Sequence, residues 1–126
     1  MINVLIVDDH PVMRELLRQV LETYPDVCIA AEAINGEDSV IQAARLQPAV
    51  AIVDIHLPMM NGIEATKQIK LRSPGTAVIG LTAGEPDERD MAMTSAGASF
   101  VINKADVVRS LYPAILDAVR NLKAAI

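Results

Sequence analysis

Along this chain, short runs of apolar residues alternate with stretches in which apolar positions recur every three or four residues. The runs are Ile2–Val7, Val27–Ala33, Val50–Val53, Thr76–Leu81 and Ser99–Ile102. No polar residue interrupts Val50–Val53, the pattern of a strand buried on both faces of a parallel sheet. Helical spacing fills the gaps. Val12, Met13, Leu16, Leu17, Val20 and Leu21 predict a helix from Pro11 to about Thr23, with Pro25 beyond it. Asn35-Gly36 opens a second helix, with Glu37 and Asp38 favourably placed near its N-terminus and Pro48 closing the segment. Asn61 caps a third that runs to about Arg72, before Ser73-Pro74-Gly75.

A fourth helix, Pro86 to Ala96, has mainly Met91, Ala92 and Met93 to bury, so it predicts a loosely held element; Gly97 stops it. For the fifth, Pro113 argues against a start at Asp106. Ser110 is the expected cap, with Pro113 inside the first turn. Its inner stripe is Leu111, Ile115, Leu116, Val119 and Leu122. Strands alternating with helices predict an α/β doubly wound parallel sheet.

Polar residues gather where these strands end. Asp8 and Asp9 follow the first strand, Asp54 the third, Thr82 the fourth and Lys104 the fifth. Right-handed crossovers bring all these ends to one edge of the sheet, where open α/β sheets bind ligands. With the first and third strands adjacent, three carboxylates crowd together and call for a cation. Oxygen ligands alone suit a hard divalent ion such as Mg2+. Lys104 adds a compact positive charge and Thr82 a hydroxyl. A carboxylate free to attack, beside such groups, makes a phosphoryl-transfer site in which aspartate forms an acyl phosphate. His10 and His56 each lie near an acid, but with no Cys beside them and no third His a transition-metal site is not expected. His10 reads as a helix-start residue.

Composition narrows the reading further. The 126 residues are enough for one core and too few for two, so residues 1–126 are expected to form a single domain. A net charge of -5, with aromatics at 2%, argues against direct nucleic-acid binding. The lone Cys28 excludes an internal disulfide framework and is expected as a small buried hydrophobe in a reducing compartment. No membrane-length apolar run and no basic leader are seen, so the cytoplasm is the expected location.

Four segments together resemble a known family: Val4-Leu5-Ile6-Val7-Asp8-Asp9-His10-Pro11, Val53-Asp54-Ile55-His56-Leu57-Pro58-Met59-Met60-Asn61-Gly62, Leu81-Thr82-Ala83, and the strand ending in Lys104. In this order and spacing the chain resembles the receiver (CheY-like) domain of two-component response regulators over essentially its whole length. The start Asp8-Asp9-His10-Pro11 and Asn61-Gly62-Ile63-Glu64-Ala65-Thr66 look most like the NarL/FixJ branch. The resemblance implies a flavodoxin-like (βα)5 fold with strand order 2-1-3-4-5. It implies Asp54 as phosphoacceptor, Asp9 as a direct Mg2+ ligand, Asp8 as a ligand through water, and the backbone carbonyl of His56 completing the metal site. Thr82 and Lys104 would hold the phosphoryl group. A sensor histidine kinase is the implied donor, and homodimerisation on phosphorylation through the helix 4–strand 5–helix 5 face the implied response.

The chain departs from the family pattern at Val101, where Tyr or Phe is usual, with Phe100 one place earlier, and at Ala105, where Pro often follows the lysine. Regulation of transcription through a C-terminal DNA-binding domain outside these residues is the expected output, with a stand-alone receiver or an unphosphorylated pseudo-receiver as alternatives. A flavin carrier on this fold would need a Ser/Thr/Gly-rich loop where Asp8-Asp9-His10-Pro11 stands. An aspartate-nucleophile phosphatase commonly has a second acid where His56 stands. Met59, Met60, Met91 and Met93 read chiefly as gap-fillers.

Overall fold

The computed structural model describes residues 1–125, with side chains through Leu122. Five parallel strands form one sheet in the order 2-1-3-4-5: β1 Ile2–Val7, β2 Val27–Ala33, β3 Val50–Asp54, β4 Ala77–Thr82 and β5 Ala98–Asn103. Five helices cover it: α1 Pro11–Glu22, α2 Gly36–Leu46, α3 Gly62–Arg72, α4 Glu88–Ala96 and α5 Val107–Ala125. This is the flavodoxin-like (βα)5 architecture with the expected strand order.

The three inner strands are buried almost throughout, which is why they read as unbroken apolar runs. Val4 and Ile6 of β1 face a layer built on α1 and α5, with Leu17, Leu21, Leu111 and Ile115. Leu5 and Val7 face the opposite layer, with Ala43 of α2, Ala65 and Ile69 of α3 and Met93 of α4. Asn35 and Asn61 cap α2 and α3 as their positions predict, accepting from the N–H groups of Asp38 and Glu64 at 2.8 and 3.0 Å. In α4 the cap is Asp87, whose carboxylate accepts from Arg89 N, so the helix starts two residues later than Pro86.

Two expectations are corrected. α5 begins at Val107, not beside Ser110, and Pro113 lies inside it. Val107 and Leu111 are fully buried, and seating both keeps the first turn helical. Pro113 sits on the exposed face, where water can serve the carbonyl left without its N–H. Cys28 is exposed, not buried: β2 is an edge strand, and Cys28 occupies an uncovered position on it.

Candidate functional site

Strand register sets the site. Val7 pairs with Val53, so Asp8 and Asp54 emerge level with each other from β1 and β3. Asp54 pairs with Leu81, and Thr82 with Asn103, which brings Lys104 to the same edge one residue later. Both Asp8 and Asp54 are buried, at 0% and 1% exposure, with Asp9 at the rim.

The Lys104 ammonium donates to Asp54 Oδ2 at 3.2 Å and lies 3.1 Å from Asp8 Oδ2. Burial pushes this amine's pKa down, but the two carboxylates outweigh that effect and hold it above its ordinary value. The other oxygen of Asp54 accepts the backbone N–H of His56 at 3.0 Å. Asp8 Oδ1 accepts the His10 N–H at 2.9 Å, and its backbone carbonyl accepts from Arg14 of α1 at 2.9 Å. Gly62 is required where α3 starts, because a Cβ there would run into the Asp54 carbonyl oxygen. Its N–H donates to Ile55 O at 2.9 Å, closing the β3–α3 loop beneath the acid. Met59 at the tip of that loop holds a left-handed φ of 65° and is 99% exposed.

Donors fall short of acceptors here. Asp8 Oδ2 and Asp9 Oδ1 are buried with no donor among the described residues satisfying them fully: their neighbours are the Lys104 ammonium at 3.1 Å and His10 Nδ1 at 3.2 Å, in ion-pair contact only. Each of Asp8, Asp9, His10 and Asp54 offers a ligand atom within 4.8 Å of the others. Buried carboxylate oxygens gathered in excess of their donors fit a hard divalent cation.

The sequence-derived set is only partly drawn together. Asp8, Asp54 and Lys104 meet directly, and Asp9 lies beside them. Thr82 is 7% exposed at the end of β4, on the same edge. His10 was expected only as a helix-start residue. Its Nδ1 reaches into the acids, 3.1 Å from Asp8 and 3.2 Å from Asp9. The readable signal is its place two residues after a turn-forming Asp. Arg89 carried no sequence signal, yet its guanidinium lies 3.3 Å from His56 Nδ1. At β5, Phe100 packs toward α1 and α5 while Val101 packs on the α4 layer. The turn Lys104–Asp106 needs a backbone N–H at Ala105, which donates to Asn103 Oδ1 at 2.9 Å, and a proline there has none to give.

Comparison with known proteins gives a consistent picture. The family model of the response regulator receiver domain matches residues 4–115. The transcriptional regulatory protein LiaR of Bacillus subtilis is 36% identical, the match covering 91% of this chain and 54% of that protein. A protein-glutamate methylesterase/protein-glutamine glutaminase of Nitrosospira multiformis is 39% identical, over 75% of this chain and 26% of its own length. Among solved structures, the response regulator domain of Thermotoga maritima CheB superposes with a TM-score of 0.88 at 30% identity, covering 95% of this chain and 97% of that one. The chain thus spans between about a quarter and about half of these two curated relatives.

Proposed function

The chain belongs to the response regulator receiver domain family, and on that premise we propose that it accepts a phosphoryl group on Asp54 from a sensor histidine kinase. The carrying observation is a buried Asp54 carboxylate held by Lys104 at 3.2 Å beside Asp8 and Asp9. Asp54 Oδ2 supplies the nucleophile. Lys104 balances charge on the carboxylate before transfer and on the phosphoryl oxygens after it, and the Thr82 hydroxyl binds one of those oxygens. Asp8, Asp9, Asp54 and the His56 backbone carbonyl would hold Mg2+. Bound there, the ion supplies charge neutralisation for the carboxylates and phosphoryl oxygens. Beyond this self-directed transfer and its reversal by water, the domain has no separate enzymatic role.

Residues 1–126 act as a single receiver unit in the cytoplasm; no described helix is long and apolar enough to cross a membrane. The output we favour is transcription control by a C-terminal DNA-binding domain. The motif at Asp8–Pro11 and the match to a transcriptional regulator support it. A methylesterase-type output is the second reading, favoured by the Nitrosospira relative and the CheB receiver. In either case phosphorylation acts by shifting conformers at the α4–β5–α5 face, where homodimers form.

Incubation with acetyl phosphate and Mg2+ followed by intact-mass measurement tests the core of this reading. One added phosphoryl group is expected, dependent on Mg2+ and absent from Asp54→Asn. An unmodified wild type that also fails to bind beryllofluoride would favour a pseudo-receiver acting through protein contact alone.

A further inference from the structure

Arg89 stands in the first turn of α4, outside the set that the strand ends supply. Its Nη2 and Nε donate to Asp87 Oδ2 at 2.7 and 3.2 Å, while Asp87 Oδ1 accepts the Arg89 backbone N–H. The cap and the ion pair share one carboxylate and together aim the guanidinium across the β3–α3 loop. There its Nη1 lies 3.3 Å from His56 Nδ1, and the His56 backbone N–H is bonded to Asp54 Oδ1. His56 thus meets the Arg89 guanidinium with its ring and the phosphoacceptor Asp54 with its backbone N–H.

Beside the acids opens a cleft of about 470 Å3, lined among others by Asp9, His10, Ile55, His56, Asn61 and Arg89. One water takes roughly 30 Å3 of the liquid, so the cleft has room for more than a phosphoryl group. A donor larger than a phosphoryl group can extend into this open side.

We propose that Arg89 binds the leaving group of small acyl-phosphate donors and thereby sets which phosphodonor this chain accepts best. The proposal rests on Asp54 being the phosphoacceptor. In the transfer, an Asp54 oxygen forms a bond to phosphorus as the bond from phosphorus to the bridging oxygen of the acyl phosphate breaks. The carboxylate departs with that electron pair. Negative charge grows on the departing oxygen, and a guanidinium within reach of it stabilises that charge. A phosphoramidate differs: its P–N bond breaks and, with nitrogen already protonated, neutral ammonia departs. Arg89 has nothing to stabilise there. Its side chain is 54% exposed, so its effect is that of a rim charge, about three- to fivefold in rate, and weaker at high salt.

The test compares phosphorylation rates with acetyl phosphate and with phosphoramidate, both with Mg2+, for wild type, Arg89→Ala and Arg89→Lys. Arg89→Ala is expected to slow acetyl phosphate about three- to fivefold and to leave phosphoramidate unchanged, with Arg89→Lys recovering most of the loss. Loss of the α4 cap geometry alone would slow both donors equally, and that outcome overturns the proposal, as does no change with either. Labelling of the wild type by both donors with no dependence on Arg89 leaves Asp54 as acceptor and removes only the role of Arg89. Labelling by neither donor overturns both.

Discussion

At Lys104 two opposed effects meet in one side chain. Its burial disfavours the ammonium, while Asp8 and Asp54 favour it more strongly. The same contacts, read from the acids, show what the lysine does without any phosphoryl group: it offsets two carboxylates that are themselves almost fully buried. Lys104→Met is therefore expected to destabilise the metal-free protein by on the order of 2 kcal/mol, measured as a lower urea midpoint. Adding Mg2+ should restore part of the loss, because a cation then takes over the same charges. An unchanged midpoint would mean the acids are satisfied some other way. At this scale the sequence was most informative for residues that end strands, since the strand pattern locates them. It was silent on Arg89, whose position depends on the cap of α4. It misplaced Cys28, because an apolar run does not reveal which of its members lies on an open sheet edge.

Among the elements, α5 departs most from its expected form. Pro113 inside the helix leaves one carbonyl, that of Arg109, without an N–H partner, and local rules alone place the helix start after such a break. Burial of Val107 and Leu111 overrides them. The prediction is that Pro113→Ala raises the melting temperature, by about 1–2 kcal/mol of stability. The regained hydrogen bond outweighs the smaller advantage proline confers by stiffening the unfolded chain. A fall in melting temperature would show that the proline is needed for the path of the helix. The other helices were legible because Asn35 and Asn61 are strong caps and the inner stripes are regular. That α4 buries little was legible too: only Met93 among its residues is buried.

Over the whole molecule, two core layers sandwich the sheet, and an aromatic clasp ties the second turn of α5 to the turn after α1. The rings of Tyr24 and Tyr112 stack with centroids 3.7 Å apart and planes 5° from parallel. The Tyr112 hydroxyl donates to Asp26 Oδ2 at 2.7 Å. That hydrogen bond, with lesser contributions from burial and the Asp26 charge, raises the Tyr112 pKa above its ordinary value. The protonated phenol is thus favoured in the folded state. Its contribution to stability is complete below the unfolded value near 10 and is lost as the pH rises through the higher folded value. Asp26→Ala should be less stable than wild type at pH 8, with the gap closing in alkaline solution, as denaturation across pH 8 to 11.5 would show. A gap that persists at the alkaline end would assign the effect to backbone changes in the turn.

Gly80 gives β4 no side chain just where Met93 reaches across; an added Cβ would come within 2.8 Å of its terminal methyl. On its other flank Met93 touches Thr66 of α3, sulfur to hydroxyl at 3.6 Å. One methyl group therefore sits at the junction of α3, α4 and β4, on the same layer as Val101. In spectroscopic terms the chain carries a built-in probe: the Met93 methyl resonance, shielded from solvent and without an aromatic ring at that β5 position to dominate its shift, reports where α4 lies. Exposed Met59 and Met91 serve as its internal references.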